Sequence, residues 1–342
     1  MKAAAIVQPQ KIEIIEKANP LPKEDEVLVR IKASALCRSD LTVYYGTPVV
    51  GKEVSYPIVP GHEPAGIVEK VGSRVKNVNV GDRVAIYLAI GCGKCYYCKS
   101  GRVILCPRAK IIGFDLDGGH AEYIVIPEKN VLPIPNQVDF QVAALSTDVI
   151  GTLYHASKVA NISGKDFVAI WGAGPMGLGG ILTAKALGAK VISVEPNEKR
   201  LEVVKRLGAD YTINPVVEDP VKAIKEITEG LGADVSIECS GNPQAETNAI
   251  EATRKEGTVV FIGENRKGLN INPSDQLIRK RLKVVGSWYF DITEYDEIIN
   301  LILRKNMPVR EIVSHRFNLE NTQEAYELFA RGETLKVLIV PS

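Results

Sequence analysis

At 342 residues, 45% of them hydrophobic, the chain is long enough to bury two cores, which excludes a disordered segment or a small disulfide-stapled module. Lysine and arginine number 42 against 41 acidic residues, a formal charge of +1 with no long block of one sign, so no nucleic-acid partner is expected.

The N-terminal run MKAAAIVQPQK reaches Gln8, Pro9 and Lys11 before an apolar stretch of signal-peptide length can form, so a cytoplasmic location is expected. Further along, EVLVRIKASALC (26–37) alternates apolar and polar residues, and turn signals such as Val80-Gly81-Asp82-Arg83 follow. This pattern predicts short antiparallel strands in a barrel-like domain over the first 150 or so residues. Cys37 lies in LCRSDL and His62-Glu63 in PGHEPAG. Taken singly, each is more often structural than chemical.

Cys92, Cys95, Cys98 and Cys106 carry the spacing C-x2-C-x2-C-x7-C, with Gly91, Gly93 and Gly101 available for tight turns. In a reducing compartment a disulfide framework is disfavoured. Four thiolates within tetrahedral reach suit zinc and leave no open coordination position, which predicts a structural site. An iron–sulfur cluster, paired disulfides and free thiols are the competing readings.

From Phe167 to Ala184 the chain has eighteen uncharged residues, close to the length of a membrane span, yet they include five glycines and a proline. A buried strand, Phe167 to Trp171, followed by a glycine turn and a helix to about Leu187 accounts for that order better, and no membrane partner is expected. Gly172, Gly174 and Gly177 form G-x-G-x-x-G, with Pro175 and Met176 inside it, and Glu195 closes the next strand, Lys190 to Val194, eighteen positions later. Between a strand and a helix this is a dinucleotide-binding fingerprint: the pyrophosphate meets the helix N-terminus, and the acidic residue meets the adenosine ribose. Glu195 would repel a 2′-phosphate, which favours NAD over NADP; Lys199 and Arg200, the latter a candidate cofactor contact, pull the other way. Strand-like runs at 234–240, 257–263 and 283–288 alternate with helix-like segments, which predicts a doubly wound parallel sheet of the α/β class. Tyr44, Trp288, Tyr289 and Phe290 are candidate pocket aromatics, although core or subunit-contact roles are as common for such residues.

Taken together, Cys37-Arg-Ser-Asp40, Gly61-His-Glu63, Gly81-Asp-Arg-Val84, the four-cysteine loop, Gly118-Gly-His-Ala-Glu-Tyr123 and the glycine fingerprint resemble a zinc-dependent medium-chain alcohol dehydrogenase over essentially the whole chain. The resemblance implies a GroES-like, mainly antiparallel catalytic domain (1–151 and 287–342, with the structural zinc loop at 91–107) and a Rossmann domain (152–286). It implies two zinc ions per chain. Cys92, Cys95, Cys98 and Cys106 would hold the structural one, and Cys37, His62 and Asp148 the catalytic one, with Glu63 as alternate ligand or neighbour. Asp40 would orient His62, Ser39 would pass the substrate proton outward, and Arg38 would contact the cofactor phosphates. Many relatives carry a histidine where this chain has Thr42, so the outer end of the proton relay differs here.

The implied activity is hydride transfer between an alcohol, or its aldehyde or ketone, and NAD(H), with zinc acidifying the alcohol in a cleft between the domains. A polyol or L-threonine-type dehydrogenase is the alternative within the same fold, and a non-catalytic zinc and nucleotide-binding relative is the alternative outside it. A homodimer or homotetramer is expected.

Overall fold

The alternation in EVLVRIKASA becomes a strand, Glu26–Ala35, in which Val27, Val29, Ile31, Ala33 and Ala35 are fully buried while Arg30 and Lys32 remain partly exposed. In this computed structural model, which describes residues 1–47 and 53–341, the chain forms two units. The first comprises Met1–Asp148, Asp291–Ile299 and Arg310–Ser342, and the second Val149–Phe290 and Asn300–Val309.

In the first unit Glu26–Ala35 is the centre of a mainly antiparallel sheet, paired with Glu63–Val71, Tyr123–Pro127 and Lys336–Ile339. The sheet continues from Glu63–Val71 through Arg83–Ile86 to Val131–Pro133, and from Lys336–Ile339 to Val313–Phe317, the last pair being parallel. Register matters more than strand count. Ala35 lies opposite Glu63 on one side and Leu338 on the other, so the end of the central strand meets the beginning of Glu63–Val71 and the second half of Lys336–Ile339. The next residues, Leu36 and Cys37, are held there by a bond from the Leu36 amide to the Val337 carbonyl at 2.9 Å. Below them Ile6, Leu36, Tyr44, Ile58, Tyr326 and Phe329 form an apolar core.

In the second unit six parallel strands run in the order Tyr211–Ile213, Lys190–Val194, Phe167–Trp171, Ala233–Glu238, Thr253–Phe261, Lys283–Gly286. The uncharged run at 167–184 divides into the strand Phe167–Trp171 and the helix Pro175–Ala186. Among the described residues no helix is long and apolar enough to cross a membrane. Two elements depart from the sequence pattern. Tyr211–Ile213 is too short for period-2 alternation to register. The strand expected from 257 begins at Thr253 and the helix Pro243–Ala252 ends before it, because the Thr253 hydroxyl bonds the Ala249 carbonyl and Ser236 and Thr253 itself joins the sheet opposite Ala233.

Candidate metal and dinucleotide sites

Cys37 follows the central strand as the N-cap of the helix Arg38–Tyr44. Its backbone N–H donates to Asp40 Oδ2 at 2.9 Å, and the other oxygen of that carboxylate, Oδ1, lies 3.0 Å from His62 Nδ1. One fully buried carboxylate therefore fixes both the Cys37 backbone and the imidazole ring. The far ring nitrogen, Nε2, is left facing Asp148 Oδ2 at 3.8 Å and Glu63 Oε1 at 3.9 Å. Asp148 projects from a π-helical turn, Ser146–Ile150, a local widening of the helix of a kind found often at functional sites. The hydroxyls of Ser146 and Thr147 donate back to the Ala143 and Ala144 carbonyls and stabilise that turn.

One ligand atom from each of Cys37, His62, Glu63 and Asp148 lies within 4.8 Å of all the others. Zinc bonds of about 2.0–2.3 Å place tetrahedral neighbours about 3.3–3.8 Å apart, so small side-chain adjustments suffice to close the set on one ion. Electrostatics point the same way. Burial and the Asp148 charge raise the Cys37 thiol, while burial pushes the Glu63 carboxyl up to about 8 against the pull of Lys336. Among the described residues the lysine facing this group is the fully buried Lys336, whose Nζ pairs with Glu63 Oε1 and donates to the Leu36 carbonyl at 2.9 Å. Burial disfavours the Lys336 ammonium, but the charges of Glu63, Cys37 and Asp148 more than offset it and hold it protonated. Glu63 Oε2 has no hydrogen-bond partner among the described residues. Against its burial, Asp40 and Asp148 raise the His62 imidazole, so in this state a proton holds the place between sulfur, imidazole and carboxylates that a divalent cation would take.

Cys92, Cys95, Cys98 and Cys106 converge as a second set, also within 4.8 Å of one another. The Cys92 and Cys98 sulfurs are 4.0 Å apart, and none of the six cysteines is in a disulfide. Amide donors surround the sulfurs: the Lys94 and Cys95 N–H groups lower the Cys92 thiol to about 5, with Arg108 Nη2 also 3.3 Å from its sulfur. Donors of this kind favour thiolates and hence metal. Gly91 has no room for a side chain, since a Cβ there would stand 2.7 Å from Cys98 Sγ.

Within the second unit, Gly172 adopts φ +88° and Gly174 caps the helix Pro175–Ala186. A Cβ on Gly177 would lie 1.8 Å from the Gly172 carbonyl oxygen, so only glycine permits the helix to begin there. A Cβ on Gly174 would meet nothing within 4 Å, which leaves open space in front of the helix N-terminus where a phosphate fits. Pro175 and Met176 form the first helical turn. Glu195 is buried, and its oxygens accept from the Ala173 amide at 2.6 Å and the Asn197 amide at 3.0 Å. Arg200 lies one turn into the helix Glu198–Arg206.

The structure thus brings together Cys37, Asp40, His62, Glu63 and Asp148, with Ser39 partly buried on the same first helical turn and Arg38 exposed beside it. Thr42 turns its hydroxyl back to the Ser39 carbonyl at 2.6 Å, so it does not replace the missing outer histidine. Tyr44 is a correction: it lies in the core against Tyr326, ring centroids 5.3 Å apart, and not in a pocket. Sequence reasoning missed Lys336. The available signal was a lone charge opening the apolar strand KVLI, a position that buries it.

Comparison with known proteins agrees with this geometry. Residues 23–136 match the family described as alcohol dehydrogenase GroES-like domain, and residues 175–304 match the family described as zinc-binding dehydrogenase. An L-threonine 3-dehydrogenase from Thermococcus kodakarensis is 35% identical over 96% of this chain and 94% of its own length. A sorbitol dehydrogenase from Halalkalibacterium halodurans is 32% identical over 95% of this chain and 94% of its own. The solved structure of an alcohol dehydrogenase from Thermus sp. ATN1 superposes with a TM-score of 0.91 at 31% identity and covers 100% of both chains.

Proposed function

This chain belongs to the zinc-type medium-chain alcohol dehydrogenases, NAD(P)-dependent oxidoreductases built from a GroES-like and a Rossmann domain, and from that premise we propose how its residues divide the work. Cys37, His62 and Asp148 hold the catalytic zinc, with Glu63 beside it as alternate ligand, and the four cysteines between 92 and 106 hold a structural zinc. The observation that carries this reading is the convergence of the first four side chains within 4.8 Å, with Asp40 directing the free nitrogen of His62 into the group.

When bound, zinc supplies Lewis-acid polarisation of the substrate oxygen and the nicotinamide exchanges hydride. Asp40 keeps His62 in its ligating tautomer. Ser39 passes the alcohol proton outward to the cofactor ribose and water, since Thr42 is committed to the Ser39 carbonyl. Gly172, Gly174, Pro175, Met176 and Gly177 receive the pyrophosphate, with Arg38 and Arg200 as further phosphate contacts. Glu195, already bonded to two amides, orients a remaining lone pair toward the adenosine ribose and favours NAD over NADP.

The substrate is a secondary alcohol carrying a second polar group, in the manner of a polyol or a hydroxy amino acid; the likeness to threonine and sorbitol dehydrogenases supports this. The protein works in the cytoplasm, where cysteines outside disulfides, as all six are here, stay reduced. It acts as a homo-oligomer joined along the strand Lys283–Gly286, a sheet edge beside the exposed Val284, Ile278 and Trp288.

The decisive experiment pairs metal analysis with a substrate panel. Wild type is expected to carry two zinc ions, and Cys37→Ala one, with turnover lower by at least about a thousandfold. Following NADH absorbance across simple alcohols, sugar alcohols and L-threonine identifies the substrate class. A Cys37→Ala protein with both metals and full activity would overturn the ligand assignment.

A further inference from the structure

The switch point of the parallel sheet falls between Phe167–Trp171 and Ala233–Glu238. From the first of these the sheet steps outward through Lys190–Val194 to Tyr211–Ile213, and from the second through Thr253–Phe261 to Lys283–Gly286. A dinucleotide laid across such a point places its adenosine on the side that ends in Glu195 and its nicotinamide on the other. Glu238 is the last residue of the first strand on that second side, and it is fully buried.

No lysine or arginine among the described residues pairs with this carboxylate. Donors from the following turn close on it instead: the Ser240 amide to Oε1 at 2.8 Å, the Ser240 hydroxyl also to Oε1, and the Gly241 amide to Oε2 at 3.0 Å. The Glu238 carbonyl meanwhile accepts from the Ile262 and Gly263 amides at 2.9 and 3.0 Å. The neighbouring turns are packed too tightly for side chains. A Cβ on Gly263 would lie 2.7 Å from Glu238 Oε2 and 2.2 Å from the Gly241 amide, and a Cβ on Gly172 would lie 2.9 Å from Ser240 Cβ. The turns after three adjacent strands are therefore locked around one buried acid, the glycine fingerprint among them.

A buried carboxylate without a cation is costly and adds nothing to a parallel ladder that backbone bonds already satisfy. What it does supply is a fixed shape for three turns at the carboxyl ends of the strands. We propose that Glu238 is a positioning residue that sets residues 239–242 and 262–264 in the shape that receives the nicotinamide half of the coenzyme, without touching the coenzyme itself. This rests on the reading of the chain as a nicotinamide-dependent dehydrogenase.

The test titrates full-length, zinc-loaded wild type, Glu238→Gln and Glu238→Ala with NAD+ and, separately, with 5′-AMP, which fills only the adenosine half. Glutamine keeps the shape but offers one acceptor oxygen where the turn presents donors to two. Its Kd for NAD+ is expected to rise about tenfold while that for 5′-AMP stays within about twofold, with a larger split in the alanine variant. Circular dichroism checks folding, and if the alanine variant fails to fold, the glutamine variant decides. Wild type that binds neither ligand would sink the dehydrogenase reading beneath the proposal. Wild type that binds both, with variants that hold NAD+ equally well, would overturn the positioning role alone. Parallel losses for NAD+ and 5′-AMP would also overturn it, because the damage would then not be confined to the nicotinamide side.

Discussion

Lys336 is the side chain whose loss has the clearest physical cost. Replacing it by methionine leaves Glu63 buried beside Asp148 without its cation, and a broken buried pair costs about 3–5 kcal/mol. Lys336→Met should therefore unfold at markedly lower urea concentration than wild type, and Glu63→Met combined with Lys336→Met should recover most of the difference; equal midpoints for wild type and the single variant would contradict the pairing. His120 provides a pH signature. Burial lowers its imidazole to about 4, with Nδ1 3.0 Å from Ser34 Oγ and the ring edge-on to Tyr326. The unfolded chain binds that proton near the ordinary value of about 6.5, so the unfolded state takes up more protons between the two pKa values. Stability is complete above the upper value and declines as pH falls toward the lower, by an amount on the order of 3 kcal/mol. Urea unfolding of His120→Gln from pH 7 to 4.5 should show a shallower slope than wild type. The grouping of Cys37, His62, Glu63 and Asp148 was legible only through the family resemblance, because Cys37 and His62 taken singly look structural and the three segments meet only in the fold. For Lys336 the lone charge at the head of KVLI hints at burial, but its partner lies 273 positions away and no local pattern names it.

Among elements, the glycine turn separates folding from binding. A side chain at Gly177 collides with the Gly172 carbonyl, whereas one at Gly174 meets only open space. Gly177→Ala should lose about 1–3 kcal/mol of stability. Gly174→Ala should melt with wild type yet bind NADH about tenfold more weakly, because its methyl occupies the approach to the pyrophosphate. Thermal melts beside NADH fluorescence titrations distinguish the two, and equal affinity in Gly174→Ala would remove the phosphate assignment. The strand–turn–helix here was readable to within a residue or two, since apolar run, glycines and helix follow one another without tertiary help. Of Thr253–Phe261 the part from 257 was expected, but 253–256 were not, because Arg254, Lys255 and Glu256 are charged and the extension depends on Thr253 pairing with Ala233.

For the molecule as a whole, the open edge at Lys283–Gly286 sets the expected assembly. Val284 is 39% exposed and Trp288 54%, beside a row of backbone groups that pair on one side only. Placing a charge on that edge, as in Val284→Asp, should convert the proposed oligomer to monomers by light scattering while circular dichroism shows the chain still folded. An unchanged mass would move the interface elsewhere. The α/β character of the second unit and the antiparallel character of the first were both evident from the change in hydrophobic period along the chain. The register that joins Ala35, Glu63 and Leu338 was not, because local periodicity does not report which residues of separate strands lie opposite one another.

That register also fixes an order of events during synthesis. The strand Lys336–Ile339 supplies both the bond that anchors Leu36 and the ammonium that pairs with Glu63, and it is synthesised 300 positions after Leu36 and 273 after Glu63. Until then Glu63 has no ammonium to pair with, so the contacts that place Leu36 and Glu63 beside Cys37 and His62 close only after the whole second unit has been made.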